Sequence, residues 1–391
     1  MKEILFITNR LKKDNKSGGY LVSKRNLENI ITIFGKEKVD VYDVISKNIF
    51  LRIVSITFFN RLESSLPIIE NEIIKKIEIE NYNIIFLDNS GFGYLTEKIK
   101  KKFSEKKIII FCHDINYYFF SSILTEYKKD KFNLKSFFRI LKAKKEIFNA
   151  KINEKKSFKN ADKIITLNSR DTKLLEKEYE YKSNAEIEVT LPIPKIEKEL
   201  KKIFDSVEFN LLFVGTAGLK PNLNGIEFFI KNVLEEVEAH LYIVGKGMEK
   251  YKEKFEKLNK KVKVIGTVEN LDNYYLDADA VIAPIFAGGG MKVKTGEALS
   301  YGKTIFGTIE SFQGYEMDYD KIGGICNSSK EFIEKINNYI KYWKNNGRPK
   351  MNKYTNEIFI EKYSYNFSIK RFKKLFDELK EKNERKYITK I

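Results

Sequence analysis

Short runs of aliphatic and β-branched residues recur along this chain, each followed by a longer helical stretch, and that alternation is the signature of parallel α/β sheets. The first set of runs is Ile4–Thr8, Val39–Val44, Ile84–Asp88, Lys107–His113 and Lys163–Asn168. A polar loop ending in Ser17-Gly18-Gly19 leads into an expected helix from Tyr20 to Phe34, and Ser169 is the expected N-cap of a helix after the last run. A second set follows Pro192 and Pro194: Leu211–Gly215, Leu241–Gly245, Val262–Gly266, Ala280–Pro284 and Thr304–Thr308. Its first helix is expected over Gly225–Val237.

Two such sets imply two domains, which 391 residues can fill. The break falls in Leu191–Glu208, where two prolines precede a charged run, as in linkers. The expected division is an N-terminal domain over 1–195, a C-terminal domain over 205–361, and a final segment over 362–391. The tail from Tyr354 to Lys386 reads as helical and amphipathic, with Phe367, Ile369, Phe372, Leu375, Phe376 and Leu379 as its apolar positions.

Composition excludes several functions. A net charge of +18 invites a nucleic-acid reading, but the excess is nearly all Lys and is spread along the whole chain. Clustered Arg, which forks onto phosphates and guanine edges, is missing, so no nucleic-acid partner is expected. Diffuse positive charge instead suits an anionic membrane surface. Cys112 and Cys326 stand far apart in strand-like settings, which fits a reduced, cytoplasmic protein. The opening residues have the wrong flanks for a signal peptide, and no apolar run reaches the roughly 18 residues of a membrane span. Asn48–Leu62 is the run nearest that limit, and Arg52 and Asn60 break it. With only His113 and His240 as histidines, most metal sites are out of reach, and no Gly-x-Ser-x-Gly turn offers a serine nucleophile.

Chemistry concentrates between Pro284 and Thr304. The strand ending at Pro284 runs into Gly288-Gly289-Gly290, where a backbone can approach a ligand closely. A helix expected to start near Met291 would place Lys294 one turn in and Glu297 a turn further on the same face. Backbone N–H groups at a helix start, a cation and a carboxylate are what a nucleotide diphosphate and its ribose require. Read alone, the glycines are a flexible loop; their place between strand and helix makes them a candidate phosphate cradle.

This segment resembles the donor-site signature of the retaining GT-B glycosyltransferases, group 1 or family 4. The match covers Gly290, Lys294, Glu297, Ala298, Gly302 and Lys303. Upstream, Leu211–Gly215 followed by Lys220-Pro221-Asn222, then Leu241–Gly247 and Val264–Val268, come in the family's order. Ala161-Asp162 to Ser169 resembles its last N-terminal strand, and Tyr363-Ser364-Tyr365 its final helix. The resemblance implies two Rossmann-like domains facing a cleft, with a C-terminal helix crossing back to the first domain. It implies transfer of a sugar, with retention and without metal or other cofactor, from a UDP- or GDP-linked donor to a saccharide, lipid-linked or protein acceptor. Such acceptors belong to cell-surface polysaccharides, glycolipids or glycoproteins, which places the work in the cytoplasm at the inner face of the cell membrane.

Residue by residue, the resemblance gives catalytic roles to His113, Lys294 and Glu297. Donor-binding roles fall on Gly18, Gly19, Gly215, Thr216, Lys220, Val268, Gly290, Met291, Lys292, Lys294 and Glu297, with Glu297 on the ribose and Lys220 and Lys294 near the phosphates. Two positions depart from the pattern: Gly289 stands where a second Glu is usual, and Thr216 where an Arg is usual. These leave open a non-catalytic partner subunit of another glycosyltransferase. A nucleotide-sugar 2-epimerase is the other rival, although it needs more acid–base groups. Asp277-Ala278-Asp279 spells a metal-binding Asp-x-Asp but precedes an apolar strand, so a capping role is expected and no metal site. Tyr117–Phe148 interleaves aromatics with Lys135, Arg139, Lys142, Lys144 and Lys145; it reads either as a face that docks a membrane surface or a lipid-linked acceptor, or as a core helix with a basic outer side.

Overall fold

The computed structural model describes residues 2–11, 18–44, 49–62, 66–128, 133–194, 202–204 and 208–388. Ser17 of the first loop, and 195–201 and 205–207 of the expected linker, lie outside the described residues. The chain forms two compact units: one runs to Glu188 and resumes at Tyr365, and the other is Val189–Ser364. The changeover therefore falls at 188/189 and 364/365, and Pro192 and Pro194 belong to the second unit.

The first unit carries β1 (Ile4–Thr8), α1 (Gly18–Phe34), β2 (Val39–Asp43), α2 (Ile49–Phe58), α3 (Pro67–Glu80), β3 (Ile84–Leu87), α4 (Gly93–Lys102) and β4 (Lys107–Phe111). It continues through α5 (Asn116–Lys128), α6 (Leu134–Asn160), β5 (Lys163–Thr166), α7 (Ser169–Tyr179) and β6 (Ala185–Glu186). Its sheet has the order β2-β1-β3-β4-β5-β6, and every pair is parallel. The strands are apolar because helices cover both faces: all five residues of β1 are fully buried. α1 opens at Gly18, two residues before its expected start, since neither glycine shows in an apolar pattern. Asn168, and not Ser169, caps α7: its side chain accepts from the Asp171 N–H.

The second unit carries β7 (Phe209–Val214), α8 (Lys220–Asn232), β8 (Ala239–Val244), α9 (Lys252–Leu258), β9 (Val262–Gly266), α10 (Asp272–Asp277), β10 (Ala280–Ala283) and α11 (Val293–Ser300). Then come β11 (Thr304–Gly307), α12 (Tyr319–Ile322), β12 (Gly323–Ile325), α13 (Ser329–Asn345) and α14 (Lys353–Ile358). The parallel sheet order is β12-β11-β10-β7-β8-β9, so the chain reverses direction across the sheet between β7 and β10. The carboxyl ends of those two neighbours form the kind of crevice where open α/β sheets bind ligands. α8 begins at Lys220, five residues before the expected Gly225, with Pro221 in its first turn where a missing N–H costs nothing. Gly225 is needed for a different reason: a Cβ there would lie 1.8 Å from the Pro284 carbonyl oxygen, so only glycine lets α8 rest on the end of β10.

The tail is helical, with a break at Ser364. A single π turn at Phe359–Tyr363 follows α14, and Ser364 is extended, pairing in parallel with Leu191. Tyr365–Ile388 then forms α15, which belongs to the first unit. There Phe376 meets Phe34 edge-on at 4.8 Å, Phe372 packs near Phe86, and Asn29 donates to Ser368 at 2.7 Å.

Candidate functional site

In the second unit the crevice between β7 and β10 gathers most of the residues expected from sequence. β10 ends at Ala283, and the loop after it turns through Gly288 and Gly290, both at positive φ (149° and 54°). α11 starts at Val293, two residues later than expected, with Lys292 as its N-cap residue. Lys294 therefore sits in the first turn. Its ammonium donates to Asn222 Oδ1 at 2.6 Å and lies 4.7 Å from the centre of the Phe213 ring. Glu297, one turn on, accepts from the Tyr275 hydroxyl at 3.1 Å, and Tyr275 stacks on Tyr301. Burial lowers the Lys294 ammonium to about 7, with Glu297 opposing the shift. Burial likewise raises the Glu297 carboxyl to about 7, against the Tyr275 hydrogen bond and the Lys294 charge.

Asn222 ties the parts together: its Nδ2 donates to the Thr216 carbonyl at 2.8 Å while its Oδ1 holds Lys294. Gly215 lies beneath it, where a Cβ would come within 3.1 Å of the Asn222 side chain. Lys220 is the first residue of α8, two positions before Asn222. Thr216, which replaces the usual Arg, bonds to the Lys246 carbonyl and accepts from the Gly218 N–H. Met291 is buried, with its sulfur 3.3 Å from the Val189 nitrogen. Lys292 turns its ammonium back onto the loop, towards the Gly289 and Gly290 carbonyls and Glu310. Val268 follows β9, three strands from β10 in the sheet, and no described hydrogen bond joins it to this cluster.

The first unit has its own polar cluster at the carboxyl ends of β1, β3 and β4. His113 Nε2 lies 3.2 Å from Asp88 Oδ1 and 3.4 Å from Ser23 Oγ. Asp88 is fully buried and accepts from Thr8 Oγ1 at 2.9 Å, Asn26 Nδ2 at 2.7 Å and the Ser23 hydroxyl. Burial works against its charge, yet the adjacent His113 and the Ser23 and Asn26 donors hold its carboxyl below the ordinary carboxylate value. Gly18 and Gly19 open α1, and Ser23 lies one turn beyond Gly19, so the helix that they start also carries the donors to Asp88. A Cβ on Gly19 would fall 2.3 Å from Arg10 Nη1, which keeps that position small. Asp88, Ser23 and Tyr275 were not singled out from sequence, and Asn222 entered only as part of the Lys220-Pro221-Asn222 match. Asp88 had one usable signal, a carboxylate closing an apolar strand beside the point where the sheet reverses.

Other expected features have structural roles. Asp277 accepts from the Ile203 and Phe204 N–H groups and pairs with Lys350, and Asp279 accepts from the Asn210 N–H. Among the described residues, no group of three or more His, Cys, Asp or Glu side chains could hold a metal ion. Lys303 is buried and donates to the carbonyls of Leu276, Ala278 and Lys350, fixing the end of α10 against β10. His240 pairs with Glu208. On α6 the inner side buries Ala143, Asn149, Ala150 and Glu154, while Leu134, Phe137, Phe138, Leu141 and Phe148 stay exposed among the basic residues. Beside α6, held to it by the Asn149 and Asn153 amides, the end of α2 exposes Phe58 and Phe59. No described helix is long and apolar enough to cross a membrane.

Comparison with known proteins fits this geometry. Residues 208–341 match the family model of the glycosyl transferases, group 1. That stretch runs from β7 into α13 and contains the glycine loop, Asn222, Lys294 and Glu297. No curated protein matches the chain. Among solved structures, the sucrose-phosphate synthase of Thermosynechococcus elongatus aligns over 97% of this chain and 99% of its own, with a TM-score of 0.69 at 12% identity. A glycosyltransferase from Rickettsia africae aligns over 96% and 98%, with a TM-score of 0.64 at 15% identity. Anabaena HepE, solved with UDP, aligns over 96% and 100%, with a TM-score of 0.63 at 12% identity. The two parallel six-stranded sheets with their helices are thus those of the GT-B glycosyltransferases.

Proposed function

We propose that this chain is a glycosyltransferase that takes a sugar from a nucleotide donor bound on its second unit. The observation that carries the reading is the joint placement of the glycine loop, Lys294 and Glu297 at the β7/β10 crevice, inside the stretch that matches the family model. Glu297 would accept from the ribose hydroxyls, a role that suits an anionic oxygen pair. Lys294 and the backbone N–H groups at the start of α11 would meet the diphosphate and stabilise its charge as it leaves, with no cation required. On the first unit, His113 keeps the catalytic role that the resemblance gives it, its ring oriented by Asp88. The reaction is transfer with retention at the anomeric carbon. UDP is the first nucleotide to try, since several of the similar structures were solved with it.

The acceptor in this reading is a saccharide on a cell-surface polysaccharide, glycolipid or glycoprotein, reached at the cytoplasmic face of a membrane. Exposed Phe137 and Phe138 beside Lys135, Arg139 and Lys142 support that location.

A screen of nucleotide sugars for thermal stabilisation and slow hydrolysis tests the reading. A ligand at about a hundred times its dissociation constant adds about 2.7 kcal/mol to stability, an easily measured shift. If no UDP- or GDP-sugar stabilises the protein or is turned over, the reading fails.

A further inference from the structure

The glycine loop needs a brace, because Gly288, Gly289 and Gly290 have no side chains with which to hold their own shape. Position 289 is also where the family pattern carries a carboxylate that this chain lacks. The brace comes from outside the loop. The Lys292 ammonium donates to the Gly289 and Gly290 carbonyls at 3.0 Å each and to Glu310 Oε1 at 2.7 Å, which gives its three protons three acceptors.

Glu310 in turn is delivered by a rigid turn, the 3₁₀ helix Ile309–Phe312 that follows β11. Thr308 caps that turn through the Ser311 N–H, and its own hydroxyl bonds to the Ile285 carbonyl. Ser311 bonds to the Ala283 carbonyl through its hydroxyl and accepts from Thr295 Oγ1 at 2.7 Å through its own carbonyl. The turn is thereby pinned to the end of β10 and to α11, the two elements between which the loop hangs. The Glu310 carboxylate lies close to the loop: a Cβ on Gly288 would be 3.9 Å from it and 3.3 Å from Lys292 Cε.

We propose that Lys292 and Glu310 are a positioning pair that holds the glycine loop in the shape that receives the donor diphosphate. The inference rests on the donor-site reading above, and its physical basis is peptide planarity. In a trans peptide the N–H points opposite to the C=O before it. With the Gly289 and Gly290 carbonyls drawn to Lys292, the N–H groups of Gly290 and Met291 face the other way. Gly290 at φ 54° is itself left-handed, one half of the geometry in which successive N–H groups form an anion-binding hollow. Lys292 thus acts on the ligand through the backbone, while Lys294 faces the ligand itself.

Three variants test the pair: Lys292→Met, which keeps length and loses the charge; Lys292→Arg, which keeps the charge and its donors; and Glu310→Gln. Amide hydrogen exchange over residues 286–293 of the nucleotide-free protein is the first readout. It should rise in Lys292→Met and Glu310→Gln and stay near wild type in Lys292→Arg. Titration with UDP and with uridine, or with GDP and guanosine if wild type prefers them, is the second. Lys292→Met should lose roughly tenfold in affinity for the diphosphate, the size of one charge-assisted hydrogen-bond set, with nucleoside affinity unchanged. Lys292→Arg should recover most of that loss. Unchanged exchange in Lys292→Met would show that the pair does not hold the loop. Raised exchange with undiminished diphosphate binding would show that the loop does not receive the phosphates; either result overturns the proposal. If wild type binds neither diphosphate, the donor-site reading fails by itself, and the exchange data still decide whether the clamp exists.

Discussion

Burial moves both Lys294 and Glu297 towards neutrality near pH 7. A bound diphosphate would restore the Lys294 charge, and ribose hydroxyls would favour the ionised Glu297. The proton balance of binding should therefore change sign with pH. Around pH 8, Lys294 is mostly neutral in the free protein and nucleoside diphosphate binding takes up protons; around pH 6, Glu297 is mostly protonated and binding releases them. Calorimetric titration in buffers of different ionisation enthalpy measures this directly, and a linkage of one sign across the range would contradict it. The same titrations weigh Glu297. A charged acceptor for two hydroxyls is worth about 1.5–3 kcal/mol, so Glu297→Ala should bind the diphosphate roughly ten- to a hundredfold more weakly, and Glu297→Gln should lose less. Equal binding by all three proteins with lost turnover would move Glu297 from the nucleotide to the chemistry. Both residues were legible in the sequence because three-residue spacing on a helix fixes a shared face. Their partner Tyr275, like Asp88 beneath His113, was not, and Asn222 was seen only as part of a motif: the sheet brings them together across long separations that no local pattern records.

At the scale of elements, legibility followed burial. β1, β4 and β10 announce themselves because helices cover both sides, which forces a continuous apolar run. β6 and β12 went unseen, since Ala185–Glu186 and Gly323–Ile325 are too short and too plain to form one. Helix starts slipped where glycine or proline opens the first turn, as at Gly18 and Lys220-Pro221. α6 carries a core side and an exposed apolar side. Its inner side is core, while its outer side shows Phe138 at 60% exposure and, from the neighbouring α2, Phe58 at 75%. Mixed apolar and basic surface of this kind should bind vesicles containing anionic lipid, more weakly as salt rises. Replacing Phe137 and Phe138 with serine should weaken sedimentation with such vesicles and leave the salt dependence in place. Binding that ignores both lipid charge and salt would remove the membrane from the proposed function.

For the molecule as a whole, the proposed chemistry relies on fixed charge and backbone dipoles. Asp277 and Asp279, the one sequence motif that suggests a metal, are engaged in holding β10 and its neighbours together. Turnover should accordingly survive EDTA. Loss on chelation, with recovery on adding manganese, would overturn the metal-free mechanism. The two sets of strands that the repeated alternation separates lie one in each compact unit. Pro192 and Pro194 mark a change in composition, but the chain had already left the first unit at Glu188.

The order of the units along the chain also bears on how the protein is made. The first unit is completed by α15, whose Phe372 and Phe376 cover Phe86 and Phe34, yet α15 follows all of Val189–Ser364 in sequence. During synthesis at about 5–20 residues per second, β1 to β6 wait on the order of ten seconds or more for their last helix. The second unit, contiguous in sequence, can close first. The nascent first unit is therefore the part of this chain most in need of a chaperone, and a ribosome stalled before residue 365 leaves its Phe34 and Phe86 rings uncovered.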